Sequence, residues 1–263
     1  MQADSQLEGR VALVTGASKG IGRAIALAFG RAGAEVGVTG RNEAELDSLA
    51  QEISHAGARC QVVVADLAEP GAERRVLEAV TSTLGDIDIL VNNAGMGSSE
   101  NPRPVAEYDD DFWDKMMFVN LTVPYRLCRR VLPAMLARRW GRIINIASIN
   151  GKIGALHGAA YAASKHGLLG LTRTLAMEVS AQGVTANAIC PGPVATLLND
   201  RRLAYDAERT GRGVAEIERG LTLVGRRLVP DEIAPLALYL ASDASAGMTG
   251  QALNIDGGIL MTG

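Results

Sequence analysis

Val11-Ala-Leu-Val-Thr-Gly-Ala-Ser-Lys-Gly-Ile-Gly22 governs how the rest of the chain reads. Five residues, 11–15, form an apolar run with strand character. Gly16, Gly20 and Gly22 then crowd a turn, and residues 21–32 follow with helical period until Gly33. Glycine lets a backbone turn tightly and approach a pyrophosphate closely. A helix that starts there offers free N–H groups and the positive end of its dipole. The spacing differs from the more familiar G-x-G-x-x-G, so its weight comes from the strand–turn–helix context. A glycine-rich turn with no ligand is the plainer alternative.

Outward from this stretch, short apolar runs alternate with longer helical segments. Strands are expected at 35–39, 61–65, 87–91, 142–147, 184–189 and 252–255, and helices at 43–55, 72–84, 160–182 and 230–241. A long helical pattern covers 109–138, with Pro124 inside it expected to bend or break it. Val- and Ile-rich strands alternating with helices indicate a parallel sheet covered on both faces. The expected fold is α/β, a doubly wound Rossmann fold with a seven-stranded parallel sheet and helices on both faces. No linker or repeat divides the chain, so a single domain over 1–263 is expected. Residues 191–229 are the least regular and read as a mobile flap over a cleft.

Composition narrows the function. With 48% hydrophobic but only 4% aromatic residues and 30 glycines, packing must rely on small aliphatic side chains and close contacts. A net charge of −3 provides no footprint for nucleic acid or an anionic membrane. Cys60, Cys128 and Cys190 are odd in number, widely spaced and set in apolar stretches, which suits reduced thiols and neither disulfides nor a metal site. The polar start, residues 1–8, lacks an apolar signal core, and no run is long enough for a membrane span. A cytoplasmic protein is expected.

The end of the second strand bears on cofactor choice. An acid there usually holds the ribose hydroxyls of NAD. This chain has Thr39-Gly40-Arg41-Asn42 instead. Arg41 can clamp a 2′-phosphate, and Lys19 in the glycine loop can add a second positive charge. NADP(H) is therefore preferred, with NAD(H) possible. Asp66, after the third strand, suits either an adenine contact or a helix cap.

Farther on, Tyr161 and Lys165 lie four residues apart in a helical segment, on one face, and Ser148 ends the fifth strand. A free phenol has a pKa near ~10. A neighbouring ammonium favours phenolate and is expected to lower that value, so that the Tyr can exchange a proton with an alcohol or ketone. Ser148 can orient the substrate oxygen.

In this order, Thr15-Gly-Ala-Ser-Lys-Gly-Ile-Gly22, Asp66, Asn92-Asn-Ala-Gly95, Asn120, Ser148, Tyr161-x-x-x-Lys165, Pro191-Gly192 and Asp256-Gly-Gly258 resemble the short-chain dehydrogenase/reductase family. The resemblance implies that Tyr161 is the general acid/base and that Lys165 tunes it and binds the nicotinamide ribose. Ser148 would polarise the substrate, and Asn120 would hold a water in a proton relay. It implies further cofactor contacts from Gly16, Ser18, Lys19, Gly20, Ile21, Gly22, Arg41, Asp66, Leu67, Asn93, Ala94 and Gly95. Beside the nicotinamide it implies Pro191, Gly192, Val194 and Thr196. A homotetramer is also implied, with the helices at 109–138 and 160–182 at one interface.

The expected substrate is a small ketone or alcohol, of β-keto, 3-oxoacyl or cyclic type. Residues 145–152, with Ser164-Lys-His-Gly167, resemble polyketide and 3-oxoacyl ketoreductases, whereas the 191–229 flap and 225–230 equally resemble 3-hydroxybutyrate and hydroxyacyl dehydrogenases. Lys152, Arg201, Arg202 and Arg212 could meet an anionic substrate, although ordinary surface roles are commoner. His157 could face the pocket or merely start a helix. A non-catalytic dinucleotide-sensing module is the reading from a different class. It would have no need of Asn120, Ser148, Tyr161 and Lys165 together.

Overall fold

The computed structural model describes residues 6–261; residues 1–5, most of the polar start, and 262–263 lie outside the described residues. The strands are β1 (Val11–Thr15), β2 (Glu35–Gly40), β3 (Cys60–Val64), β4 (Ile89–Asn92), β5 (Gly141–Ile146), β6 (Val184–Pro191) and β7 (Ala252–Ile255). The α-helices are α1 (Gly20–Arg31), α2 (Glu43–His55), α3 (Ala72–Leu84), α4 (Asp110–Met117), α5 (Val123–Arg138), α6 (Ala159–Val179), α7 (Leu197–Thr210), α8 (Val214–Gly220) and α9 (Ala234–Ala241). All seven strands pair in parallel, in the order β3-β2-β1-β4-β5-β6-β7. This is the doubly wound Rossmann arrangement.

The apolar run of β1 is buried at every position because both faces of the sheet are covered. Val14, Val36 and Val38 face one core with Ile25 and Phe29 of α1, Leu46 and Leu49 of α2, and Leu240 of α9. Leu13, Leu90 and Ile143 face the other, with Val76 and Val80 of α3, Leu127 and Val131 of α5, and Leu175 of α6. Neighbours in sequence therefore serve opposite layers, as the period of a strand requires. At ~25 cal/mol per Å² of apolar area, burial of one such aliphatic side chain is worth about 1.5–3 kcal/mol.

The winding reverses between β1 and β4, which leaves a crevice at their C-terminal ends. Thr15 closes its inner end. Its hydroxyl donates to the Val91 carbonyl (3.2 Å) and accepts from the backbone N–H groups of Asn93 and Ala94 (3.0 Å each).

Three expected segments differ in detail. The 109–138 pattern is not one helix: α4 and α5 are joined by a π-helical stretch, Phe118–Thr122. Pro124 has no N–H to offer the Asn120 carbonyl, so regular α winding loses a bond there. The 230–241 segment is a 3₁₀ turn, Pro230–Glu232, followed by α9. The 191–229 segment, expected to be irregular, contains α7 and α8. The side chain of Thr196 caps α7, and Gly211 ends it in the left-handed conformation (φ 68°).

Candidate active site

The glycine turn between β1 and α1 has little spare room. Gly16 (φ 65°) and Gly20 (φ 59°) occupy backbone conformations that favour glycine. A Cβ on Gly22 would run into the Gly16 carbonyl oxygen and Asn93 Nδ2. That Asn93 amide donates to the carbonyls of Thr15 (2.9 Å) and Gly16 (3.0 Å), which fastens the turn to the end of β4. No side chain caps the N-terminus of α1, among the described residues. Its first N–H groups are therefore available to an anion, which fits a pyrophosphate.

The turn also meets the end of β2. A Cβ on Gly40 would lie 2.6 Å from Ser18 Oγ, so a carboxylate there would require Ser18 to move. Arg41 is largely exposed and stands 3.9 Å from Asp66. The other oxygen of Asp66 accepts from the Ala68 N–H (2.9 Å), which closes a turn ahead of α3. Lys19 pairs with Glu45 at the surface (3.0 Å). Such an exposed pair is weak, about 0–1 kcal/mol. The Leu67 side chain is buried in the core on the α3 face.

Ser148, Tyr161 and Lys165 converge on one cleft of about 390 Å³, which Ile21, Asn93 and Gly95 border at the cofactor end. Pro191, Gly192, Val194 and Thr196 line it from the end of β6. Each has a local reason for its place. Ser148 stands just past β5, its hydroxyl accepting from the Asn150 N–H (3.1 Å). Tyr161 and Lys165 share one face of α6, with Lys165 Nζ 5.8 Å from the Tyr161 ring centroid. The ammonium is buried and donates to the Ile146 carbonyl (2.8 Å). Burial brings the Lys165 pKa down to about 8.

The phenol of Tyr161 does not follow the sequence expectation. Burial pushes its pKa above the ordinary value and outweighs the lowering hydrogen bond with Ser148. Tyr161 therefore stays protonated beyond the ordinary phenol range.

Asn120 does not line the cleft. It sits in the π-helical stretch, fully buried, where its Oδ1 accepts from the Met96 N–H (2.8 Å). Its amide donates to the Met96 carbonyl (3.1 Å) and to Ser164 Oγ (3.1 Å). It thus joins the loop after β4 to α6 from behind. Ser164 entered the sequence reading only within the ketoreductase-like stretch 164–167; its bond to Asn120 follows from the fold.

On the substrate side, Lys152, Arg212 and His157 take structural roles instead of meeting a substrate. Lys152 points away from the cleft and donates to the Ala252 carbonyl (2.7 Å). Arg202 borders the cleft but is bound by both oxygens of Asp206 (2.8 and 3.1 Å) and donates to the Leu156 carbonyl (3.0 Å). Arg212 pairs with Glu216 (2.9 Å). His157, left-handed at φ 56°, precedes α6 and hydrogen-bonds Tyr205 of α7. The apolar walls come from Met96, Leu156, Leu198 and Leu221. Their spacing in sequence carries no pattern that marks them as neighbours. The cysteines are free, and burial pushes the thiols of Cys60 and Cys128 up to about 12.

A parallel sheet with an anion-ready helix at its switch point, next to a cleft-lining phenol paired with a buried ammonium, is the architecture of a nicotinamide-dependent oxidoreductase. The family model for short chain dehydrogenases matches residues 10–206. D-beta-hydroxybutyrate dehydrogenase of Cupriavidus necator is 38% identical over 258 residues, covering 96% of this chain and 98% of the relative. The 3-oxoacyl-(acyl-carrier-protein) reductase FabG of Escherichia coli K12 is 38% identical over 255 residues, covering 97% and 98%. Among solved structures, an actinorhodin polyketide ketoreductase with NADPH superposes with a TM-score of 0.88 at 37% identity, over 94% of this chain and 96% of that one. The chain belongs to the short-chain dehydrogenase family and is an NAD(P)-dependent oxidoreductase acting between CH–OH and C=O groups. Among the described residues, no helix is long and apolar enough to cross a membrane.

Proposed function

We propose that the chain is an NADP(H)-dependent reductase that converts a ketone, of β-keto, 3-oxoacyl or cyclic type, to a secondary alcohol. The observation that carries this reading is the convergence of Ser148, Tyr161 and Lys165 in the cleft that Ile21 and Asn93 border. Bound NADPH supplies the hydride. Tyr161, which keeps its proton at neutral pH, donates it to the carbonyl oxygen as charge develops there. Ser148 donates to the same oxygen and fixes its position. Lys165, with a pKa of about 8, is mostly charged at neutral pH and stabilises the phenolate left behind. Asn120 positions the Met96 backbone and α6, and so the floor of the cleft.

For the cofactor, Arg41 and Ser18 beside Gly40 would hold the 2′-phosphate, and the first turn of α1 the pyrophosphate. The structural relative solved with NADPH supports this choice. For the substrate, the cleft offers aliphatic walls, and Lys152 and Arg202 are already engaged. A neutral or thioester-linked ketone suits those walls better than a free short carboxylate. The hydroxybutyrate dehydrogenase relative makes acetoacetate the necessary control. The implied homotetramer belongs to the same proposal. Exposed Tyr125 on α5 and Met177 on α6 offer apolar surface for it, and sedimentation velocity tests it.

The decisive experiment is a panel of neutral ketones, ketoacyl thioesters and acetoacetate with NADPH oxidation as readout, run on the wild type and on Tyr161→Phe. The variant is expected to lose about 10²–10⁴-fold in turnover while still binding NADPH. Undiminished turnover in the variant would overturn the assignment of Tyr161. Preferential use of acetoacetate would overturn the substrate class.

A further inference from the structure

A second cavity, of about 540 Å³, opens between α3 and α5, lined by Gly71, Glu73, Arg126, Arg129 and Arg130. It shares no lining residue with the catalytic cleft. Its chemistry is unusual for a solvated helix surface. Glu73 is 2% exposed, yet two guanidiniums stop short of it, with Arg126 Nη1 at 3.5 Å and Arg130 Nη2 at 3.9 Å from Oε1. Oε2 has no hydrogen-bond partner among the described residues. A buried carboxylate oxygen without a donor is costly, because water has been removed and nothing has replaced it. At the same time, three guanidiniums against one carboxylate leave the cavity positive. Gly71, at the N-cap of α3, brings no side chain to that helix end, whose dipole adds to the positive field.

These demands are met together by few ligands. The occupant must be anionic for the arginines and must also donate a hydrogen bond to Glu73 Oε2. The hydrogen phosphate ion does both. We infer that this cavity binds hydrogen phosphate, its P–OH donating to Glu73 Oε2 and its other oxygens accepting from Arg126, Arg129 and Arg130. Guanidinium geometry suits those oxygens. Sulfate has the same shape and charge but no proton near neutral pH. Against Glu73 it offers a repelled lone pair instead of a donor. Glu73 therefore selects for the proton, and the arginines for the anion.

Calorimetric titration of the full-length protein, saturated with NADP⁺ so that the cofactor site is filled, tests this. Inorganic phosphate is expected to bind saturably, at least tenfold tighter than sulfate. Glu73→Gln is expected to erase that preference, because an amide N–H₂ can donate to either anion. Arg126→Met combined with Arg130→Met, both at partly exposed positions, is expected to weaken phosphate at least tenfold while ketone reduction persists. These arginine variants and the phosphate–sulfate comparison in the wild type carry the test if Glu73→Gln does not fold. Glycerol 3-phosphate, mostly a dianion without a P–OH above its second pKa of about 6, is expected to bind at least tenfold more weakly than phosphate, and binding as tight as phosphate would overturn the role of Glu73. Absence of saturable phosphate binding, equal binding of sulfate by the wild type, or phosphate binding unchanged in the double arginine variant would each overturn the inference.

Discussion

The glycine turn and the 191–229 segment border the same cleft but are held in opposite ways. The turn is fixed by backbone. Thr15, Gly16 and Asn93 bond to one another at the ends of β1 and β4, and α1 buries Ile25, Ala26 and Phe29 beneath it. Backbone bonds hold the ends of the 191–229 segment, where Val194 bridges to Leu228, but its two helices are fixed mostly by side chains at the surface. α7 buries only Leu203 and α8 only Ile217. Their remaining ties are pairs such as Arg227 with Asp200 and Glu218, Arg202 with the Leu156 carbonyl, and Tyr205 with His157. Leu197, Leu198, Leu223 and Val224 are exposed. The contrast teaches how one fold divides its labour. A cofactor of constant shape is met by backbone that has one solution, whereas the substrate side is roofed by helices with little core to lose when they move.

The largest expected effect measures that difference directly. Amide hydrogen exchange in α7 and α8 should run at least about 100-fold faster than in β1 and α1, because few buried apolar groups oppose local opening. Equal protection would erase the contrast. On the rigid side, Gly22→Ala is expected to cost about 1–3 kcal/mol in denaturant stability, since its Cβ meets Gly16 and Asn93 and neither can withdraw freely. A neutral result would mean that the turn is softer than its bonding implies. Arg41→Ala should weaken NADPH binding by about 10–100-fold and NADH hardly at all, as loss of a charge-assisted bond to a 2′-phosphate predicts. Equal losses for both cofactors would show that Arg41 does not read the phosphate. The smallest effect belongs to the roof: Tyr205→Phe removes the tie to His157 and should shift the ketone KM a few-fold, with a stability change of about 1 kcal/mol or less. A larger loss of stability than Gly22→Ala would reverse the comparison.

The elements most legible in the sequence were those with a strong period. β1 and the glycine turn read correctly because a fully buried strand is an unbroken apolar run and the turn needs glycine. α7 was missed although its terminal signals were present. Thr196 and Asp200 stand at its start and Arg209 and Gly211 at its end. A helix that buries one residue has no apolar stripe, so nothing in its interior announced it. The break in 109–138 was marked by Pro124, but its form as a π-helical stretch that turns Asn120 inward follows from packing against Met96 and Ser164. Lys152 looked available for a substrate and is instead tied to β7.

By itself the sequence determined the class of fold, the spacing of Tyr161 and Lys165 on one helical face, and the absence of an acid at Gly40. These depend on local geometry: the periods of strand and helix, and the conformations only glycine adopts freely. The tertiary structure alone decided that Tyr161 keeps its proton, because burial is a property of everything packed around a side chain. It alone decided that Lys152 and Arg202 are already engaged, and that Glu73 lies buried among arginines that do not reach it. Each of these depends on partners far apart in the chain, and only folding sets their distances.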